Sequence, residues 1–388
     1  MSKKVAIVGV GHFGFRTTSQ DVSYREMIFE AATRCYQDAS GVHPKEIDSF
    51  VASSEDFMEG VSIADEYVPE QLGAVLKPVQ SIAGDGLQGL ASAMMQIQTG
   101  RIGLAAASAF SKASNVLQQE NVLSYACDPN YVRPLGESPY ALAGLEMNRY
   151  LYETGNTKEH CALVAAANRR SALFNPWAAY GANINPDSVL DSEPLFYPLS
   201  FLDQSQHADG AVVVLLASED RAYDYTDKPI WIQGLGWATD SPNLDSRHQG
   251  LGGAAYARLA AERAYRMAGI SCPRKEIDFA EIDDTFSYKQ LQHVEALQIC
   301  SPGEAGKQTR QGLFSSQGEF PINTSGGSLG SGYLHEANGL QKILEVVLQL
   351  RGQAGSRQLD QARTGLAFAW RGIPTATGAA AVLSSRYH

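Results

Sequence analysis

Short apolar runs of β-branched and small residues alternate along this chain with longer segments whose apolar positions return every three or four residues. This grammar predicts strands alternating with helices. The first run, VAIVGVGH over 5–12, gives way to the helical pattern REMIFEAATRCYQD and then to SFVAS. The same order returns later as IWIQGLGW over 230–237, AYARLAAERAYRMAG and DFAEI. Both copies carry a glycine turn, a proline and the string KEID, at 45–48 and 275–278, between helix and strand. Each then reaches a glycine-rich joint opening an apolar helix: SIAGDGLQGLASAMMQI over 81–97 and TSGGSLGSGYLHEANGLQKILEVV over 324–347. Two copies of one α/β unit, paired about a pseudo-twofold axis with their joints at a shared cleft, are the economical expectation. Residues 1–114 and 206–228 then form a first half and 229–388 a second. The stretch 115–205, rich in Asn, Pro and Tyr, forms an inserted lid.

Composition alters this picture little. With 388 residues, 44% hydrophobic and 19% charged, the chain fits an ordered globular protein of two or three units. A net charge of −11 argues against broad nucleic-acid or membrane-surface binding. No apolar run reaches membrane-spanning length, and the opening MSKKVAIVGVG is too glycine-rich for a signal peptide, so a cytoplasmic location is expected. Cys35, Cys127, Cys161, Cys272 and Cys300 are scattered without CxxC spacing, so neither a metal site nor a disulfide framework is expected. Gly9, Gly11 and Gly14 imitate a dinucleotide fingerprint. The polar stretch FRTTSQDVSYREM follows them instead of an immediate helix, however, and no acidic residue closes a second strand, so no nicotinamide site is expected.

Long segments resemble the thiolase superfamily, and within it the archaeal and sterol-carrier-protein type thiolases. Among them are YLYETGNTKEHCALVAAANRRSALFNPWAAY, EIDDTFSYKQLQHVEALQIC and GEFPINTSGGSLGSGYLHEANGLQKILEVVLQLRG. The resemblance covers most of the chain. It implies a five-layered αβαβα fold of two duplicated halves with a loop region over the cleft, a homodimer, and substrates carried as coenzyme A thioesters with no tightly bound cofactor. A thiolase keeps its nucleophilic cysteine at the first joint in a pattern similar to ACASG; the corresponding IAGDG places Ala83 there. At the second joint it keeps a histidine in a pattern like GHPLGATG, and the matching spacing in GYLHEANG puts Tyr333 in that place. Asp283 matches the first residue of the family's HDAF- or NEAF-like segment, which orients a water or polarises the thioester carbonyl.

Without a thiol at the first joint no acyl-enzyme forms there. Retro-aldol cleavage of a β-hydroxyacyl-CoA needs only a base on the β-hydroxyl and a site that stabilises the enolate. The site pattern is similar to that of the steroid side-chain aldolases of bacterial sterol and bile-acid degradation, which work with a small zinc-ribbon/OB-fold protein. Tyr333 is the expected acid/base, its pKa lowered by neighbours or served by a relay from His335. Asp283 and Tyr288 complete the expected catalytic set. Arg169 and Arg170 are expected at coenzyme A phosphates, and Gly327 and Gly330 where backbone nears the thioester.

Each assignment has a plainer reading. Asp283 would be a strand-end cap, Tyr288 packing, Asp85 a helix cap and His293 a helix-surface residue, with the arginines pairing to Asp187 or Asp191. An atypical thiolase or acyltransferase, and a silent thiolase-like subunit of a heteromeric complex, are the alternative functions.

Overall fold

The computed structural model describes residues 3–56, 63–241, 249–373 and 376–387. Its strands are β1 (Val5–Arg16), β2 (Ser49–Ser53), β3 (Val79–Ile82), β4 (Leu104–Lys112), β5 (Pro194–Phe196), β6 (Leu199–Ser200), β7 (Asp209–Ser218), β8 (Ile230–Thr239), β9 (Phe279–Ile282), β10 (Thr364–Arg371) and β11 (Thr377–Ser384). Apart from the β5–β6 pair they form one sheet in the order β3-β2-β4-β7-β1-β8-β11-β10-β9. The two halves meet where β1 and β8 pair antiparallel, Ala6 opposite Trp231 and Ile7 opposite Ile230.

The helices that matter to the site are α1 (Tyr24–Asp38), α2 (Gly86–Gln98), α3 (Gln119–Ser124), α4 (Pro139–Thr154), α5 (Lys158–Ala172), α6 (Ala255–Ala268), α7 (Ser287–Ala296), α8 (Gly327–Ser331) and α9 (Asn338–Arg351). Helix α1 covers β1 and β7 on one outer face, and α6 covers β8 and β11 on the other. Helices α2 and α9 lie between the two sets of strands, which makes the α-β-α-β-α order. Strand alternation sorts the side chains among these layers. On β7, Val212, Val214 and Leu216 join the middle core with α2 and α9, whereas Val213, Leu215 and Ala217 join the core under α1.

The repeated motifs have physical explanations. A side chain on Gly9 or Gly11 would strike the backbone of Cys35 or Ala31 in α1, and one on Gly234 or Gly236 would strike Ala264 or Ala260 in α6. The strand glycines therefore admit a close-packed helix, which accounts for the false dinucleotide fingerprint. The KEID aspartates do matching work. Asp48 Oδ2 accepts the Gly103 and Leu104 N–H groups at 2.8 and 3.0 Å, and Asp278 Oδ2 accepts those of Arg363 and Thr364 at 2.8 Å each. Each carboxylate thus pins the entry of the parallel strand beside its own, β4 beside β2 and β10 beside β9.

The inserted stretch departs from a simple cover. Tyr140, Met147 and Tyr150 of α4 and Cys161, Val164 and Ala165 of α5 belong to the core shared with α6 and α7, so only its first part, around α3, lies loosely over the cleft.

Candidate active site

The glycine joints bring the N-termini of α2 and α9 together. Asp85 caps α2 through the Leu87 N–H at 2.8 Å, and its other oxygen accepts the Gly339 N–H of α9 at 2.9 Å. Neither helix end could approach so closely with side chains in the way: a Cβ on Gly86 would meet Leu340, and one on Gly339 would meet the Asp85 carboxylate. Asp85 is therefore the helix cap expected, and it also faces the cleft. Burial drives its pKa up from 3.8 to about 7 against the pull of the two N–H groups and Lys342.

Two small adjoining chambers, of about 40 and 20 Å³, lie in front of this junction. Leu123, Tyr333, His335, Gly372 and Ile373 border both. Asp85, Glu55, Ala126, Glu336 and Arg371 complete the first; Tyr140, Gln204, Ser205, His207, Thr285 and Phe286 complete the second. Glu55 pairs with Arg371, and its N–H donates to Glu336 at 2.8 Å. Ala83 is exposed and borders neither chamber, and none of the five cysteines does.

Tyr333 stands where the second joint was expected to place it, at the cleft. The Tyr333 N–H donates to Gln206 O at 2.8 Å and its carbonyl accepts from Ala208 N at 3.0 Å, so the segment 206–208 fixes its backbone. The phenol corrects one expectation. Burial, reinforced by Asp283, Asp85 and Glu336, holds its pKa well above the usual tyrosine value rather than below it. The Tyr333 phenol is therefore held in its neutral, protonated form.

His335 also borders the cleft, but not as a relay to Tyr333. The two rings sit 5.1 Å apart at 57°, in ring contact without a hydrogen bond between them. His335 instead stacks on His207 with centroids 4.6 Å apart and planes within 2°. Burial, and secondarily His207, holds the His335 imidazole well below its usual range, and burial brings His207 to about 4, so both are neutral at neutral pH. His207 escapes a sequence reading; its signal is a lone histidine in SQHADGAVVV, immediately before β7.

The remaining expected residues lie elsewhere. Asp283 is fully buried behind the chambers, accepting from Asn338 Nδ2 at 2.7 Å and from Thr285 N at 3.0 Å, the cap reading. Tyr288 is fully buried and stacks on Phe286 at 5.9 Å, so it packs behind the chamber wall instead of lining it. Arg169 is buried along α5, donating to Ala165 O and Gln204 O at 3.3 Å each; burial lowers its pKa to about 10, and it does not reach solvent phosphate. Arg170 is exposed, donates to Asn183 Oδ1 at 3.3 Å, and borders a separate groove of about 400 Å³.

The glycines expected to approach a ligand approach protein. A Cβ on Gly327 would strike the Asp284 carboxylate, and one on Gly330 would come within 2.6 Å of Ala172 and 2.7 Å of Asn168 O. His293 is buried, not exposed, bonding Asp283 O through Nδ1 and Tyr256 through Nε2, each at 3.0 Å. Among the described residues no three His, Cys, Asp or Glu side chains are grouped to hold a metal ion, and no helix is long and apolar enough to cross a membrane.

Comparisons with known proteins agree with this architecture. Residues 236–385 match the thiolase C-terminal domain-like family. The chain is 30% identical over 376 residues, 94% of its length and 95% of the relative's, to the acetyl-CoA acetyltransferase of Methanothermobacter thermautotrophicus. It is 29% identical over 91% of its length and 92% of the relative's to the 17-hydroxy-3-oxo-4-pregnene-20-carboxyl-CoA lyase of Mycobacterium tuberculosis. Among solved structures, the Ltp2-ChsH2(DUF35) aldolase superposes with a TM-score of 0.85 at 26% identity, covering 98% of this chain and 97% of that one. Human mitochondrial 3-ketoacyl-CoA thiolase, at 16% identity and a TM-score of 0.75, shares the fold over 99% of both chains. Duplicated halves, paired central helices and full-length similarity together establish that this chain belongs to the thiolase superfamily.

Proposed function

We propose that the protein cleaves, or in reverse forms, a carbon–carbon bond of a β-hydroxyacyl coenzyme A thioester by an aldol-type reaction. One observation carries this reading: the cleft where the helix N-termini meet offers a neutral phenol, two neutral imidazoles and a carboxyl group titrating near neutrality, and no thiol. Ala83, at the position matching the family's cysteine, cannot hold an acyl group, whereas retro-aldol cleavage needs none. The similarity to a steroid carboxyl-CoA lyase and to an aldolase supports the same chemistry.

In this account the positive ends of α2 and α9 face the charge that develops on the thioester enolate. The Tyr333 hydroxyl hydrogen-bonds that oxygen or returns a proton to the α-carbon. Of the two α5 arginines, Arg170 is the exposed one that a coenzyme A phosphate can reach. A small zinc-ribbon/OB-fold protein is the proposed partner, since the aldolase neighbour is a two-component assembly by its name. The β3 edge of the sheet, terminal among the described residues and with Gln80 and Ser81 exposed, is the proposed seam of a homodimer.

Replacing Tyr333 by Phe keeps the ring and removes the hydroxyl. On a competent substrate kcat should fall by about 10²–10⁴ with KM nearly unchanged, the range a general acid contributes. A Y333F protein with full turnover would remove the tyrosine from the chemistry.

A further inference from the structure

The retro-aldol step needs an acceptor for the β-hydroxyl proton, and Tyr333, kept protonated, is unsuited to be one. We propose that His335 Nε2 is that acceptor and that His207 is the positioning residue that holds the imidazole in place. This inference rests on the lyase reading above.

The geometry carries it. His335 Nε2 is shielded from solvent and has no hydrogen-bond partner among the described residues, while its ring borders both chambers. A buried polar atom is ordinarily satisfied, so an unpartnered one at a cleft wall suits a group that a substrate completes. The backbone beneath it is unusual too: His335 takes φ +45°, a left-handed value rarely adopted by non-glycine residues and maintained only where surroundings over-determine it.

Those surroundings are ordered around His207. Its ring lies flat on His335. Its Nε2 is 3.3 Å from the Tyr140 hydroxyl, and its carbonyl accepts from the Tyr180 hydroxyl at 2.6 Å. The neighbours Gln206 and Ala208 bond the backbone of Tyr333, so one short segment sets the spacing of the donor and of the acceptor. Face-to-face imidazoles cannot both be protonated without repulsion, so the pair takes up a single proton.

The step balances. His335 Nε2 takes the hydroxyl proton, and the O–H electron pair becomes the second C–O bond of the product aldehyde or ketone. The Cα–Cβ bond breaks with its pair passing to the α-carbon and thioester oxygen. A proton then returns to the α-carbon, and no oxidant, reductant or water is consumed.

The test is steady-state turnover of a β-hydroxyacyl-CoA by wild type, H335A, H207A and H207F. H335A should lose about 10²–10⁴ in kcat with KM nearly unchanged, and added free imidazole should restore about tenfold or more, a rescue that a merely structural defect would not show. H207A should also lose kcat rather than KM, and H207F, which keeps a flat ring against His335, should recover most of that loss. Near-wild-type kcat in H335A, or a loss that imidazole does not answer, overturns the base assignment while the lyase reading stands. H207F as impaired as H207A overturns the stacking role. A wild-type protein that cleaves no β-hydroxyacyl-CoA overturns the lyase reading and this inference with it.

Discussion

Asp85 shows how burial and hydrogen bonding compete on a single carboxyl group. Two helix N–H groups favour its charged form, yet burial wins and moves its pKa from 3.8 to about 7. The folded protein thus holds this proton more tightly than the unfolded chain does. The stability it contributes is full below the unfolded value and is lost as pH rises through about 7. Asp85→Asn, neutral at every pH, should therefore flatten the fall of Tm between about pH 4 and pH 7. It should also lower Tm overall, because the Asn NH₂ group cannot accept the second helix's N–H. Glu281, raised to about 7 by burial and by Glu345, titrates in the same window, so the slope shrinks without vanishing. Thermal melts across that range check this, and an unchanged slope would show that Asp85 does not carry the shift. Tyr333 was legible at this scale because the joint's spacing points to it. His207 was not, because its role depends on a ring partner 128 positions away in sequence, which no local pattern encodes.

At the scale of elements, the duplication was legible because each repeated residue serves a local contact that recurs in the other half. Gly11 and Gly236 illustrate it, and Gly11→Ala and Gly236→Ala should each destabilise by about 1–3 kcal/mol, since the obstructing atoms include helix backbone that cannot step aside. Chemical denaturation gives the comparison, and a neutral effect at either position would contradict the close-packing explanation. His293 of helix α7 was misread as a surface residue for the opposite reason. The helix sequence, SYKQLQHVEA, is polar nearly all round and reads as exposed, yet Tyr288, Lys289, Gln290, Gln292 and His293 are all buried. They are tolerated because partners from distant elements satisfy them: Lys289 meets Glu146 and Tyr256, Gln292 meets Gly252 O, and His293 meets Tyr256. Hydrophobic periodicity registers side-chain polarity and is blind to such pairing. Arg169 and Arg170, expected together at coenzyme A phosphates, are separated by the structure: Arg169 lies buried along α5 and Arg170 is exposed.

For the whole molecule, the five-layer order follows from two half-sheets that each need both faces covered, with α2 and α9 shared between them. That arrangement places both helix N-termini at one point and makes the cleft a property of the fold rather than of a loop. Coenzyme A should therefore bind even to Y333F, and raising salt should weaken binding if Arg170 meets phosphate. Calorimetry, with the proposed partner present, tests this, and no heat of binding would remove the basis of an acyl-CoA role. The central claim is tested most directly by incubating the protein, alone and with the proposed zinc-ribbon/OB-fold partner, with a β-hydroxyacyl-CoA and identifying the products by mass. The account predicts a shortened acyl-CoA and one equivalent of aldehyde or ketone, formed without free coenzyme A as a co-substrate. Cleavage that depends on added coenzyme A, or a stable acyl adduct on the protein, would contradict it.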